Sequence, residues 1–295
     1  MSSLIEQAAL RLQQLRQTGV EMAQNAPDLK PAPAHVETEQ PKVQAQAAPA
    51  PSPSRRVEID LVAMSGAGIV TPNAPRSQIA DQFRVIKRPL IANALGKGAS
   101  AIASGNLIMV TSALPGEGKT FSAINLAMSI ATELDCTVML VDADVARPSV
   151  MNVLGLPASP GLLDLVAADS TDVAPFLLKT NIDKLTILPS GTQHDRATEL
   201  LASDAMTRLL DDMAQRYPDR IIVFDSPPLL LTTEARVLAS HMGQVVIVVR
   251  AEQTLQSDVT QALSLIETCP VKLLLLNQAR GAVTEGYGYG AGYGS

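Results

Sequence analysis

Eight consecutive residues, Ala113-Leu114-Pro115-Gly116-Glu117-Gly118-Lys119-Thr120, have the types and spacing of a phosphate-binding loop. Gly116 and Gly118 let the backbone approach phosphate oxygens closely, and the amides that follow point at an anion with the help of a helix dipole. Lys119 is spaced to reach β- and γ-phosphates, and Thr120 to set its hydroxyl on Mg2+. The residues expected to line a nucleotide are therefore Pro115, Gly116, Glu117, Gly118, Lys119, Thr120 and Phe121. Ala113 stands where the consensus has Gly, a mild departure because the strand-to-loop turn need not take positive φ there.

Two acidic segments end apolar runs further along, Met139-Leu140-Val141-Asp142-Ala143-Asp144 and Ile221-Ile222-Val223-Phe224-Asp225-Ser226-Pro227-Pro228. In an open parallel sheet, ligands bind outside the carboxyl ends of the strands, so three carboxylates can converge beside the loop. A lone Asp after a strand is commonly just a helix cap, but three beside a P-loop call for another explanation. Mg2+ takes hard oxygens and keeps waters that carboxylates hold. Thr120, Asp142 and Asp225 are the expected metal residues, and Lys119, Asp142, Asp144 and Asp225 the expected catalytic set. His35, His194 and His241 are scattered without zinc-ligand spacing.

The elements needed to hold these groups are legible in the pattern. Short apolar runs at Leu107–Thr111, Val138–Val141, Leu185–Leu188, Ile221–Phe224, Val245–Val249 and Val271–Leu276 alternate with helical stretches at Phe121–Leu134, Thr198–Arg216 and Thr254–Glu267. Continuous apolar strands separated by helices predict an α/β fold, a doubly wound, mostly parallel sheet covered by helices on both faces. A further helix is expected from about Ser77, with Pro89 kinking or interrupting it.

Four regions follow from composition: an N-terminal helix (1–25), a Pro/Ala-rich linker (26–56), the P-loop domain (57–281) and a Tyr-rich tail (282–295). Ser3 and Glu6 form a capping box, and Leu4, Ala8, Leu12 and Leu15 make one apolar face, read as docking on the chain itself or on a partner. The prolines of the linker favour extended conformations that bury no core. The tail interleaves Tyr287, Tyr289 and Tyr293 with glycines and has high backbone entropy, so it is expected to be disordered when free.

With 295 residues and a net charge of -6, the chain has no global basic field for nucleic acid or an acidic membrane. Aromatics are 3% and Trp is absent, which disfavours base-stacking platforms. Cys136 and Cys269 adjoin apolar runs and read as inert thiols. The longest aliphatic runs are far short of a membrane span. Glu6 falls where a secretory signal needs an apolar core, so a cytoplasmic chain without a direct span is expected.

Taken together, the Pro-Gly-Glu-Gly-Lys-Thr loop, the Asp142-Ala143-Asp144 pair, Asp225-Ser226-Pro227-Pro228 and the C-terminal tyrosines resemble the bacterial tyrosine kinases, over roughly residues 77–295. Asp142–Pro148 and Phe83–Pro89 look most like the subgroup encoded with exopolysaccharide-export loci. The resemblance implies a P-loop ATPase fold related to the division-site and partition ATPases. It implies an ATP- and Mg2+-dependent autokinase whose phosphoacceptors are Tyr287, Tyr289 and Tyr293, modified in trans between subunits, that regulates exopolysaccharide synthesis or export. One of Asp142 and Asp144, with Asp142 preferred, would orient or deprotonate the phenol. A transmembrane polysaccharide co-polymerase would recruit the chain to the inner membrane from the cytoplasm, and a homo-oligomer would form through Asp81, Arg84 and Lys87.

Two positions depart from the family pattern. The Arg usual two residues after the second Asp of the pair is Ala146 here, with Arg147 following. The oligomerisation motif Glu-x-x-Arg-x-x-Arg is matched as Asp81, Arg84 and Lys87, and Lys lacks the bidentate fork of Arg. The competing reading is a division- or partition-type ATPase switch without kinase activity. Such ATPases carry a Lys early in the loop, where this chain has Leu114, and they lack a tyrosine tail. A non-catalytic adaptor is disfavoured by the intact Lys119, Thr120 and three aspartates.

Overall fold

A computed structural model describes residues 55–72, 77–98, 100–216 and 219–279. The N-terminal helix, the linker up to residue 54, Tyr217 and the Tyr-rich tail lie outside the described residues.

Eight strands form one sheet: β1 (Arg55–Arg56), β2 (Leu107–Ser112), β3 (Thr137–Asp142), β4 (Leu178–Lys179), β5 (Leu185–Leu188), β6 (Arg220–Asp225), β7 (Gln244–Arg250) and β8 (Val271–Asn277). Their spatial order is β1-β4-β5-β3-β6-β2-β7-β8. All neighbours run parallel except β4 against β5. The described helices are α1 (Leu61–Gly66), α2 (Gln78–Ala94), α3 (Lys119–Ala131), α4 (Val150–Val153), α5 (Leu162–Ala167), α6 (Ala197–Leu201), α7 (Asp204–Arg216), α8 (Thr233–Ser240) and α9 (Gln256–Ser264).

Successive strand residues point to opposite faces, so each central strand feeds two cores. Met139 and Phe224 join Leu163, Leu209 and Leu238 on one face. Leu140 and Val223 join Leu90, Ile124 and Met128 on the other. Burial of a large apolar side chain contributes roughly 1.5–3 kcal/mol, so these two layers supply the main drive for folding. The expected sheet covered on both faces is thus present in the centre. At the edge, β8 alternates, with Leu274 and Leu276 more than half exposed.

Three local expectations are revised. Helix α2, capped by Ser77 on Ala80 N, runs through Pro89 without interruption. Proline frees the carbonyl four residues back, that of Val85, and Val85 lies on the exposed side of the helix, where water can reach it. The stretch 198–216 is two helices, because Ser203 ends α6 by donating to Leu200 O and caps α7 by accepting from Met206 N. The P-loop helix begins at Lys119 rather than Phe121.

A buried glutamine braces α2 to the sheet. Gln244 Nε2 donates to Leu90 O and Gly105 O, while its Oε1 accepts from Asn93 Nδ2. Cys136 and Cys269 are free and buried, and burial raises both thiols above their ordinary pKa, consistent with inert cysteines. Among the described residues no helix is long and apolar enough to cross a membrane.

Candidate active site

The strand order sets the site. Strand β6 lies between β3 and β2, with Asp142 opposite Asp225 and Val110 opposite Asp225 in register. The P-loop leaves β2, the Asp142/Asp144 pair ends β3, and Asp225 ends β6, so all three motifs meet at one carboxyl edge. Short-range bonds hold that edge. Ser226 N and Oγ both donate to Val110 O, and Thr111 Oγ1 donates to Pro227 O at 2.8 Å.

In the P-loop, Gly116 and Gly118 take φ of 80° and 94°, the left-handed region that favours glycine. Gly118 is the N-cap of α3, and no side chain caps the first-turn amides. Those N–H groups and the helix dipole are directed at whatever anion enters the loop.

Lys119 Nζ is 2.5 Å from Asp144 Oδ2, in a largely buried ion pair. Thr120 Oγ1 donates to Asp225 Oδ2 at 2.7 Å and lies 3.0 Å from Ser149 Oγ. Asp142 Oδ2 accepts from the amides of Ser149 and Val150, both at 3.1 Å, where α4 begins. The remaining oxygens, Asp142 Oδ1 and Asp225 Oδ1, are buried with no hydrogen-bond partner.

Two buried carboxylates at adjacent strand ends resist ionisation together. Burial, and then the neighbouring Asp225, raise Asp142 to about 7. Burial raises Asp225 to about 6, with Lys119 and the Thr120 hydroxyl pulling the other way. Unpartnered acidic oxygens in a dry site are what a hard cation would satisfy. Among the described residues there is no cluster of three or more His, Cys, Asp or Glu that would hold an ion without further help. The donor set, two carboxylates with the Thr120 and Ser149 hydroxyls beside them, suits Mg2+ that keeps waters and takes phosphate oxygens.

A cavity of about 440 Å3 opens beside this cluster, lined by Gly116, Lys119, Asp144, Arg147, Pro227 and Leu231. Arg147 and Ala146 both line it, so the displaced arginine still stands at the mouth. Arg147 N also donates to Asp144 Oδ1 at 3.2 Å.

Sequence reasoning placed Lys119, Thr120, Asp142, Asp144 and Asp225, and the fold brings all five together. It missed Ser149, a serine seven residues past Asp142 with no motif of its own. Elsewhere, Asp81 and Arg84 form an exposed pair at 2.5 Å on α2. Lys87 turns inward instead, donating to Ser129 O and Thr132 Oγ1 and pairing with Glu133 at 2.7 Å. Its ammonium is engaged within the subunit. Tyr287, Tyr289 and Tyr293 lie outside the described residues.

The fold and the site define a P-loop NTPase-like α/β protein. Residues 105–276 match the AAA domain family. The chain is 31% identical over 190 residues to the putative tyrosine-protein kinase EpsB of Ralstonia nicotianae, a match covering 64% of this chain and 25% of EpsB. It is 29% identical over 223 residues to the tyrosine-protein kinase YwqD of Bacillus subtilis, covering 75% of this chain and 90% of YwqD. The chimerical protein CapA2B2 aligns with a TM-score of 0.60 at 28% identity, over 75% of this chain and 99% of that one. The kinase domain of Escherichia coli ETK aligns with a TM-score of 0.52 at 22% identity, over 76% of this chain and 97% of that one, a likeness of fold. The chain therefore spans about a quarter of the length of EpsB and most of the length of YwqD. It belongs to the AAA domain family and is similar to the tyrosine-protein kinases EpsB and YwqD.

Proposed function

We propose that the chain is an ATP- and Mg2+-dependent protein-tyrosine autokinase that modifies its own C-terminal tyrosines. The observation that carries the reading is the joint placement of Lys119, Thr120, Asp142, Asp144 and Asp225 at one sheet edge, beside an open cavity. The names of the tyrosine-kinase relatives support the choice of phenol as acceptor.

In this reading the amides of the P-loop and Lys119 hold the β- and γ-phosphates of ATP. Lys119 exchanges Asp144 for phosphate oxygens as ATP enters. Thr120, Asp142 and Asp225 would hold Mg2+ directly or through water. When bound, the ion neutralises charge on the transferring phosphoryl group. Asp144 lines the cavity and Asp142 does not. That lining supports Asp144 as the group that meets the incoming phenol, where the sequence reading preferred Asp142, and Asp142 keeps its expected place at the metal. A phenol of pKa about 10 needs such an acceptor at neutral pH.

Tyr287, Tyr289 and Tyr293 are the proposed acceptors, reached in trans from a neighbouring subunit of a homo-oligomer. Three phosphates would add roughly -4.5 to -6 charge within a few residues, enough to drive the tail from an acidic site. Asp81 and Arg84 remain the candidate interface residues on the exposed side of α2. Recruitment to the inner membrane would run through a transmembrane polysaccharide co-polymerase, and the regulated process would be exopolysaccharide synthesis or export.

The test is incubation of purified protein with ATP and Mg2+, followed by phosphotyrosine mapping by mass spectrometry. Phosphate on Tyr287, Tyr289 and Tyr293, lost when all three are Phe, is the expected result. ATP hydrolysis with no phosphotyrosine would favour the division- or partition-type switch. A parallel assay with the cytosolic segment of a candidate co-polymerase tests the partner.

A further inference from the structure

Glu117 is a P-loop residue whose carboxylate is bound at both oxygens by groups outside the proposed phosphate and metal set. It is almost fully buried. Its Oε2 accepts from Leu114 N at 2.7 Å, and its Oε1 accepts from the hydroxyl of Thr254 in the β7–α9 connection. Thr254 Oγ1 in turn accepts from Arg250 N at 3.1 Å. From the end of β8, Asn277 Nδ2 donates to Glu117 O at 2.9 Å, and Asn277 O accepts from Ala251 N at 2.9 Å. The same Asn277 amide covers Gly118, where any Cβ would collide with it.

These contacts act on the geometry that an anion requires. A phosphate loop binds through several amide vectors that must converge at once. In a trans peptide the carbonyl and the next N–H point in opposite directions. Holding Glu117 O against Asn277 therefore turns Gly118 N–H away from Asn277. The Glu117 carboxylate spans the loop from Leu114 N to Thr254 and fixes its first half. The two connections that supply the outer partners each hold a non-glycine residue in the left-handed region, Glu252 at φ 62° and Gln278 at φ 56°. Such conformations persist where the surroundings over-determine them.

We infer that Glu117, Thr254 and Asn277 form a clasp that holds the P-loop in its anion-binding shape and ties it to the carboxyl ends of β7 and β8. These are positioning residues, and the inference rests on the nucleotide reading above. A loop released from the clasp has to be reordered by each incoming phosphate, and that ordering cost appears in affinity.

The experiment measures fluorescent ADP binding to the full chain with Mg2+ at 25 °C, with a melting curve for each variant to establish that it is folded at that temperature. Thr254→Val removes the hydroxyl and keeps the shape, and its Kd is expected to rise about tenfold. Glu117→Ala should weaken binding by about tenfold or more. Glu117→Gln can still accept from Leu114 N and donate to Thr254 Oγ1, and should stay within about threefold of wild type. Glu117→Ala combined with Thr254→Val should bind within about twofold of Glu117→Ala alone, because both act through one bond. A merely structural bond would lower the melting point and leave the Kd of the folded protein unmoved. If Glu117→Ala fails to fold, Thr254→Val carries the test. A Thr254→Val Kd within about twofold of a wild type that binds ADP overturns the clasp alone. A wild-type chain that binds no ADP overturns the nucleotide reading and the clasp with it.

Discussion

Asp142 and Asp225 end neighbouring parallel strands in register, and each keeps one carboxylate oxygen buried without a partner. Placing two acids so close in a dry site is unfavourable unless a cation or a proton intervenes. In the proposed reading that cost is stored where Mg2+ would be held.

The pH dependence of the metal-free protein follows. Asp142 at about 7 and Asp225 at about 6 both lie above the ordinary 3.8. Between about pH 4 and 7 the folded protein holds protons that the unfolded chain has released, so stability falls as pH rises through that window. Asp142→Asn keeps an acceptor for the Ser149 and Val150 amides and removes the charge. In EDTA at pH 8 it should stabilise the protein by on the order of 2 kcal/mol and flatten the pH profile. Urea unfolding at pH 5 and pH 8 checks this, and a variant less stable at pH 8 would contradict it. Added Mg2+ should raise the wild-type midpoint and leave the variant nearly unmoved.

Lys119→Met should lower phosphoryl transfer by roughly a hundredfold or more, because the fixed cation on the transferring phosphate is lost. Asp144→Asn should reduce transfer much more than ADP affinity. The measurements are autophosphorylation rate and fluorescent ADP Kd on the same preparations. Equal losses in both would place Asp144 in binding rather than chemistry.

Ser149 Oγ lies 3.0 Å from Thr120 Oγ1, where it would support the proposed metal. Ser149→Ala should raise the Mg2+ concentration for half-maximal activity about tenfold, and Thr120→Val should raise it further. A Mg2+ titration of initial rates decides the matter, and an unchanged midpoint in Ser149→Ala would remove this serine from the metal site.

Lys87 and Arg84 should separate cleanly. Lys87→Met abandons a buried carbonyl and an ion pair, with an expected loss of about 1–3 kcal/mol in chemical denaturation. Arg84→Ala breaks only an exposed pair and should cost less than about 0.5 kcal/mol. If α2 is an interface, Arg84→Ala will instead shift the sedimentation profile toward smaller species.

Much of the site is written in local sequence. The loop glycines, Lys119 and Thr120 occupy fixed offsets, and Asp142, Asp144 and Asp225 follow apolar runs whose length and β-branching announce buried strands. Local periodicity reports the type and burial of an element, and that was sufficient for the central sheet. Periodicity does not report which strand neighbours which. That β6 lies between β3 and β2, bringing Asp225 opposite Asp142, was decided by the packing of helices on both faces. The same holds for the polar partners. Ser149 reaches Thr120, Thr254 and Asn277 reach Glu117, and Lys87 turns toward Ser129, across 29 to 160 residues of chain. No spacing rule encodes such contacts, because they exist only once the sheet order has set the distances over which a hydrogen bond can act.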